Sequence, residues 1–202
     1  MLFWGLNIPG LLIPALRFVN WSLPALWLAG VVIFKIFEQS GNSFIENTGK
    51  VTYVKLYHAL FLGVFGITIF PIMEYTFFQR PPVIVLNIAG LVFMCLGGFL
   101  RFAALATLGK YFSTHIEIYS YHRLVDKGIY SLIRHPGYLG SICFGIGSIL
   151  SVNAVYSILF LVFYFVPVLL CRIYLEEKML NEDLVGYKEY SGRTKIFIPY
   201  LF

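Results

Sequence analysis

The chain has 202 residues, of which 59% are hydrophobic and 12% charged. A soluble domain carries about a quarter charged residues, so the composition excludes a water-soluble globule and points to lipid as the solvent. The formal net charge of +5 would suit nucleic acid in a soluble protein. Here the basic residues sit between and after apolar runs, where they orient the chain and meet anionic headgroups, so no nucleic-acid partner is expected.

A helix needs about 20 apolar residues to cross the hydrocarbon. Leu2 to Phe37 is apolar but broken by Arg17, Asn20 and Pro24, which predicts either one long crossing or a hairpin of two short ones. No basic stretch precedes it, so Met1 to Pro14 is expected to be retained structure rather than a cleaved signal. After a polar stretch from Glu38 to Lys50, a span is expected over about Leu56 to Phe78. It holds His58 as a packing residue and Glu74 in a functional or snorkelling place. Arg80-Pro81-Pro82 makes a tight break. The next span, about Val83 to Leu108, offers Gly90, Gly97 and Gly98 for close helix approach, and its Arg101 is expected to snorkel toward the cytoplasm. The longest polar segment, Gly109 to His135, contains His115, His122 and His135. Gly137–Leu150 and Ala154–Leu175 then read as a helical hairpin joined at Ser151-Val152-Asn153, and a polar tail follows. Cys95, Cys143 and Cys171 all lie in apolar runs and are expected to be small core residues. No metal site is expected.

Lys and Arg are dense in Glu38–Lys55, in Gly109–Arg134 and in the tail, and sparse in the two turns between. The positive-inside rule therefore places the long polar loop and the C-terminus in the cytoplasm. The expected fold class is an all-α, multi-pass integral membrane protein of five, or six, transmembrane helices. It forms a single membrane domain over 1–202, with N-terminal helices in 1–108 and the loop, hairpin and tail in 109–202. A cytoplasmic pocket is expected where that loop meets the ends of the hairpin.

The unusual residues gather there. Proline suits the first position of a helix and pushes the residue before it out of helical geometry, so Pro136 should open a helix with His135 outside it. Unpaired N–H groups then lie beside Arg134 and His135, which makes an anion site; contact between Arg134 and lipid phosphate would satisfy the same residues. Arg172, Glu176 and Glu177 close the last apolar run. Arg172 and Glu176, four apart, share a helix face and can simply pair. Yet charge directly after an apolar run is costly and usually functional, and two adjacent carboxylates exceed one arginine's need. A hairpin returns its end to its start, so Glu176 must approach His135 and Pro136. Cationic and helix N-terminal donors on one side and carboxylates on the other suit a zwitterion bearing an ammonium and a carboxylate.

The ordered set His122-x-Leu124-Val125, Gly128-x-Tyr130, Arg134-His135-Pro136-x-Tyr138-x-Gly140 and Glu176-Glu177 resembles the isoprenylcysteine carboxyl methyltransferase family, from about Arg101 onward. That family includes short members with five transmembrane helices. The resemblance implies S-adenosylmethionine (S-adenosyl-L-methionine) as cofactor, bound beneath the cytoplasmic surface. Its pocket would be lined by His122, Leu124, Val125, Tyr130, His135, Pro136, Tyr138 and Glu176, with Arg134 and Glu177 beside them. His115, seven residues before His122, falls where some relatives touch cofactor. Arg172 matches a family arginine at the substrate end, where it would act in catalysis by orienting the acceptor carboxylate. The implied partners are a lipidic or prenylated small-molecule or peptide substrate and membrane lipids. Residues 1–100 show no comparable motif.

A carboxylate is already ionised at neutral pH, so such an enzyme needs no general base; alignment, water exclusion and placed charge would carry catalysis. Three other readings compete. A phospholipid N-methyltransferase has a similar donor site but an amine acceptor that must lose a proton. A sterol-type reductase shares Arg-His-Pro but uses a nicotinamide cofactor, and the short chain and Tyr138-x-Gly140 argue against it. A non-enzymatic channel or scaffold leaves the joint survival of so many motif positions unexplained.

Overall fold

The computed structural model describes residues 54–112 and 123–197, all within one compact unit, Gly41–Phe202. The crossings expected before Glu38, the fate of Met1–Pro14, and His115 and His122 lie outside the described residues. Among the described residues every regular element is helical, as a lipid-solvated backbone requires. The elements are α1 (Val54–Phe78), α2 (Ile84–Leu108), α3 (Pro136–Ser151), α4 (Ser157–Asp183) and α5 (Tyr187–Arg193), with 3₁₀ turns at Gly109–Tyr111 and Gly128–Ser131. Helices α1, α2 and α4 are long and apolar enough to cross a membrane. The 16 residues of α3 reach only about 24 Å at 1.5 Å per residue, less than the hydrocarbon's ~30 Å. The 27 residues of α4 reach about 40 Å, so its last turns, with Glu176 and Glu177, can project past the apolar slab.

The hairpin turn falls where the sequence placed it. Asn153 is left-handed (φ 55°), Ala154 N–H bonds Ile149 O at 3.0 Å, and Asn153 N–H bonds Leu150 O at 3.2 Å. This pair of bonds satisfies the last carbonyls of a helix and turns the chain into α4. That helix carries one wide π turn, Leu161–Phe165, just ahead of Pro167, whose missing N–H interrupts the regular ladder.

Helix α3 packs chiefly on α2, backbone against backbone. A Cβ built on Gly97 falls 2.5 Å from Gly140 O, and one on Gly147 falls 2.6 Å from Gly90 O. Gly98 meets nothing within 4 Å and takes no part. Helix α1 meets α4 differently: Gly63 and Gly66 make room for the rings of Phe165 and Phe160. The buried core is Ile67, Ile149, Leu161, Phe165, Leu169 and Ile173. Cys143 is buried, but Cys95 and Cys171 are exposed, contrary to their expected core place; lipid exerts no pressure to bury a small thiol. His58 is also exposed, edge-on to Tyr57 at 5.4 Å, rather than packed inside.

At the turn end of the hairpin, Glu74 is buried as a cap. Its Oε2 accepts from the Ser157 N–H (2.7 Å) and hydroxyl (2.8 Å), and its Oε1 from the Tyr156 N–H (3.0 Å). A carboxylate from α1 thus satisfies the N-terminus of α4. Arg80 pairs with Glu74 at 3.1 Å, donates to Asn153 O at 3.2 Å and lies over the Tyr156 ring.

Candidate functional site

His135 takes φ −122° and ψ 56°, and Pro136 opens α3, the boundary that proline's fixed φ dictates. The Leu139 N–H returns to His135 O at 3.1 Å, which leaves the N–H groups of Gly137 and Tyr138 ahead of the helical ladder. A Cβ on Gly137 would meet Ala104 alone, at 3.7 Å, so the backbone there is open to approach.

Helix α4 returns to this end. Tyr138 Oη donates to Glu176 Oε2 at 2.6 Å and accepts from Arg172 Nε at 2.9 Å. The phenol of α3 therefore stands between Arg172 and Glu176, where a direct pair along α4 was the simpler expectation. Arg172 is only 2% exposed, a costly placement for charge. Tyr57 of α1 lies within electrostatic reach of it. Tyr130 neighbours Glu176, Tyr190 and Arg101; burial first, then Glu176 and Tyr190, hold its hydroxyl above the usual phenol range. Arg101 donates to Ser141 Oγ at 2.9 Å. It is half-buried and reaches onto α3, where a side chain extended toward the cytoplasm was expected.

A second cluster lies beside the first. Glu177 Oε1 accepts from Arg134 Nε (2.8 Å) and Tyr187 Oη (2.8 Å), and meets His135 Nε2 at 2.7 Å. Arg134 Nη1 donates to the carbonyls of Ser191 and Thr194, so this arginine holds the tail in place of the lipid phosphate that was its simpler partner. Its backbone N–H bonds Lys195 O (2.8 Å), and that of His135 bonds Ile196 O (3.2 Å), beside a parallel bridge between Ile133 and Lys195. Tyr190 Oη donates to Tyr130 O at 2.7 Å. Arg193 pairs with Asp126. Gly186, at φ 83°, brings the tail against Leu124, and Ile196 and Phe197 pack on the core. Helix α5 and residues 194–197 thus strap both the 123–131 loop and the start of α3.

The residues expected from sequence therefore divide. Tyr138, Arg172 and Glu176 meet directly, with Tyr130 and Pro136 around them, and Leu124 and Val125 are half-buried in the loop. Arg134, His135 and Glu177 are engaged with one another and with the tail. Tyr187 and Tyr190, which hold Glu177 and the Tyr130 carbonyl, were not expected from the sequence. Its available signal was Tyr187 and Tyr190 at three-residue spacing after Gly186, a short apolar stripe in a charged tail. No group of three or more potential metal ligands occurs among the described residues.

Fold and site define an all-helical membrane protein in which an arginine and a carboxylate meet across a tyrosine at the open end of a helical hairpin. The profile of the isoprenylcysteine carboxyl methyltransferase (ICMT) family matches residues 89–182. Protein-S-isoprenylcysteine O-methyltransferase of Saccharomyces cerevisiae is 28% identical over 207 residues, covering 94% of this chain and 84% of that protein. Protein-S-isoprenylcysteine O-methyltransferase A of Arabidopsis thaliana is 33% identical over 119 residues, covering 55% of this chain and 58% of its own length. The Schizosaccharomyces pombe protein-S-isoprenylcysteine O-methyltransferase is 32% identical over 141 residues, covering 63% and 58%. The chain thus spans less than two-thirds of the plant and fission-yeast relatives. The profile match takes in somewhat less than half of the chain and marks a similarity to that family. Helix α5 and the strap lie beyond the stretch that the profile matches.

Proposed function

We propose that this chain is a multi-pass membrane methyltransferase that moves a methyl group from S-adenosylmethionine to the carboxylate of a lipidic, isoprenylcysteine-like acceptor at the cytoplasmic membrane face. The names of its relatives support the activity. Three membrane-long helices among the described residues fit a chain of five or six crossings, and the dense Lys and Arg of 109–134 favour the cytoplasm for the site. The observation that carries the reading is Arg172, buried at 2% exposure and joined through Tyr138 to Glu176.

The donor set fits the amino-acid end of S-adenosylmethionine. Glu176 would accept from its ammonium, and the first N–H groups of α3 would donate to its carboxylate. Leu124, Val125, Tyr130, Pro136 and Tyr138 would line the pocket, with His115 and His122 completing it. Arg134, His135 and Glu177 hold the frame around it. Once bound, the cofactor supplies an electrophilic methyl group on a sulfonium. The chain's own part is to align and to exclude water: Arg172 orients the acceptor carboxylate, and the apolar helices admit its lipid portion sideways.

The amine-acceptor reading fits less well, because a buried guanidinium attracts an anion and repels an ammonium. The profile match over 89–182 and the names of the relatives weigh against the reductase and the non-enzymatic readings. Calorimetry on detergent-purified protein is expected to show S-adenosylhomocysteine binding with a Kd on the order of micromolar, weakened at least about tenfold in Glu176→Gln. A folded wild type that binds none of it refutes the donor assignment, and full binding by the variant refutes the site. With an isoprenylcysteine acceptor, activity should stay level on acidification until the carboxylate protonates near about pH 4. A fall already near neutrality would point to an amine.

A further inference from the structure

We infer that Tyr138 is a positioning residue that couples the donor and acceptor subsites, so that the two ligands bind cooperatively. The inference rests on the donor and acceptor assignments proposed above. The single hydroxyl proton of Tyr138 goes to Glu176 Oε2 at 2.6 Å, and the same oxygen takes the Arg172 Nε–H at 2.9 Å. Hydrogen bonds in a chain polarise one another. The carboxylate draws the phenol proton, which enriches the phenol oxygen and tightens its hold on Arg172. The guanidinium draws on that oxygen, which makes the hydroxyl a better donor to Glu176.

Each ligand relaxes the link from its own end. An ammonium seated on Glu176 takes up part of the carboxylate's charge and weakens the Tyr138 to Glu176 bond. The phenol then competes less for Arg172, and the guanidinium turns more readily to an acceptor carboxylate. A carboxylate seated on Arg172 has the converse effect on Glu176. Thermodynamic linkage makes the gain equal in both directions. Arg172 and Glu176 share α4, but the phenol between them belongs to α3, so the coupling also fixes the spacing of the hairpin's open end.

The test is a titration of full-length protein in detergent. The Kd of S-adenosylhomocysteine is measured alone and with saturating N-acetyl-S-farnesylcysteine. Wild type should bind about five-fold tighter with the acceptor present, the lower end of typical coupling between sites. Tyr138→Phe keeps the ring and should bring that factor to about one. A second variant, Arg172→Lys, leaves Tyr138 and Glu176 in place but lacks the Nε donor. Without acceptor it should already bind S-adenosylhomocysteine more tightly than wild type, because the phenol has lost the cation that strengthened its bond to Glu176, which keeps the test decisive if Tyr138→Phe unfolds. Independent binding in wild type, coupling that survives in Tyr138→Phe, or an acceptor-free affinity left unchanged in Arg172→Lys overturns the inference alone. Failure of wild type to bind either ligand by itself overturns the assignment beneath it, and the first titrations reveal that separately.

Discussion

Replacing Glu177 by Ala should damage the frame rather than the pocket. Its Oε1 serves Arg134 Nε, His135 Nε2 and Tyr187 Oη at 2.7–2.8 Å. Removing one partner of a buried ion pair costs about 3–5 kcal/mol, because the other charge is stranded. The side chains of Arg134 and Glu177 are 10% and 16% exposed, and Arg134 keeps its two tail carbonyls. Both facts favour the lower end, about 3 kcal/mol. For a chain of this length each kcal/mol moves Tm by about 2–4 °C, so Glu177→Ala should melt about 6–12 °C below wild type. Glu176→Gln should melt within about 2 °C of wild type while losing S-adenosylhomocysteine affinity. Thermal unfolding in detergent measures both, and trypsin cleavage after Lys188 and Arg193 reports whether the tail has come loose. A Glu177→Ala protein that melts with wild type, keeps its tail protected and has lost only ligand would show that Glu177 is a pocket wall, and the reasoning would be wrong.

Three further outcomes follow from other parts of the molecule. Gly97→Val drives a side chain into Gly140 O and Phe144 N, which lie 2.5 and 2.7 Å from a Cβ there; it should cost about 3 kcal/mol, whereas Gly98→Val, facing open space, should cost under about 0.5 kcal/mol, both read by thermal unfolding. Glu74→Ala uncaps α4 and strands Arg80, a loss of about 3 kcal/mol, yet the Kd for S-adenosylhomocysteine should stay within about two-fold, because the cap lies at the other end of the hairpin. Burial holds the Tyr190 hydroxyl up at about 12, above its unfolded value, so its bond to Tyr130 O stabilises fully below the unfolded pKa and is lost as pH rises through the folded one. Wild type should exceed Tyr190→Phe by about 1 kcal/mol at neutral pH, and melting curves should converge between pH 10.0 and about 12.

Local rules made much of this legible. Pro136 announced the start of α3, and Ser151-Val152-Asn153 announced its end, because proline's φ and a left-handed asparagine act within a few residues. The approach of Glu176 to the 135–138 segment followed from the hairpin alone. What escaped was pairing set by three-dimensional packing. No periodicity distinguishes a glycine that touches a neighbouring backbone (Gly97) from one that faces outward (Gly98), since both suit an apolar helix. Nor does spacing reveal that Tyr138 comes between Arg172 and Glu176, or that Arg134 and Glu177 spend their charge on each other. The polar tail showed least: its value lies in backbone carbonyls offered to Arg134, and carbonyls carry no residue code.

The strap has a bearing on how the protein is made. Ile133 is bridged by Lys195, which the ribosome adds 62 residues later. At about 5–20 residues per second, the start of α3 waits roughly 3–12 s in the nascent chain before its brace exists. Throughout that interval the arginine and histidine ahead of Pro136 have no tail to hold. An insertion machinery or chaperone that shields this junction would act on a vacancy that the finished protein no longer displays.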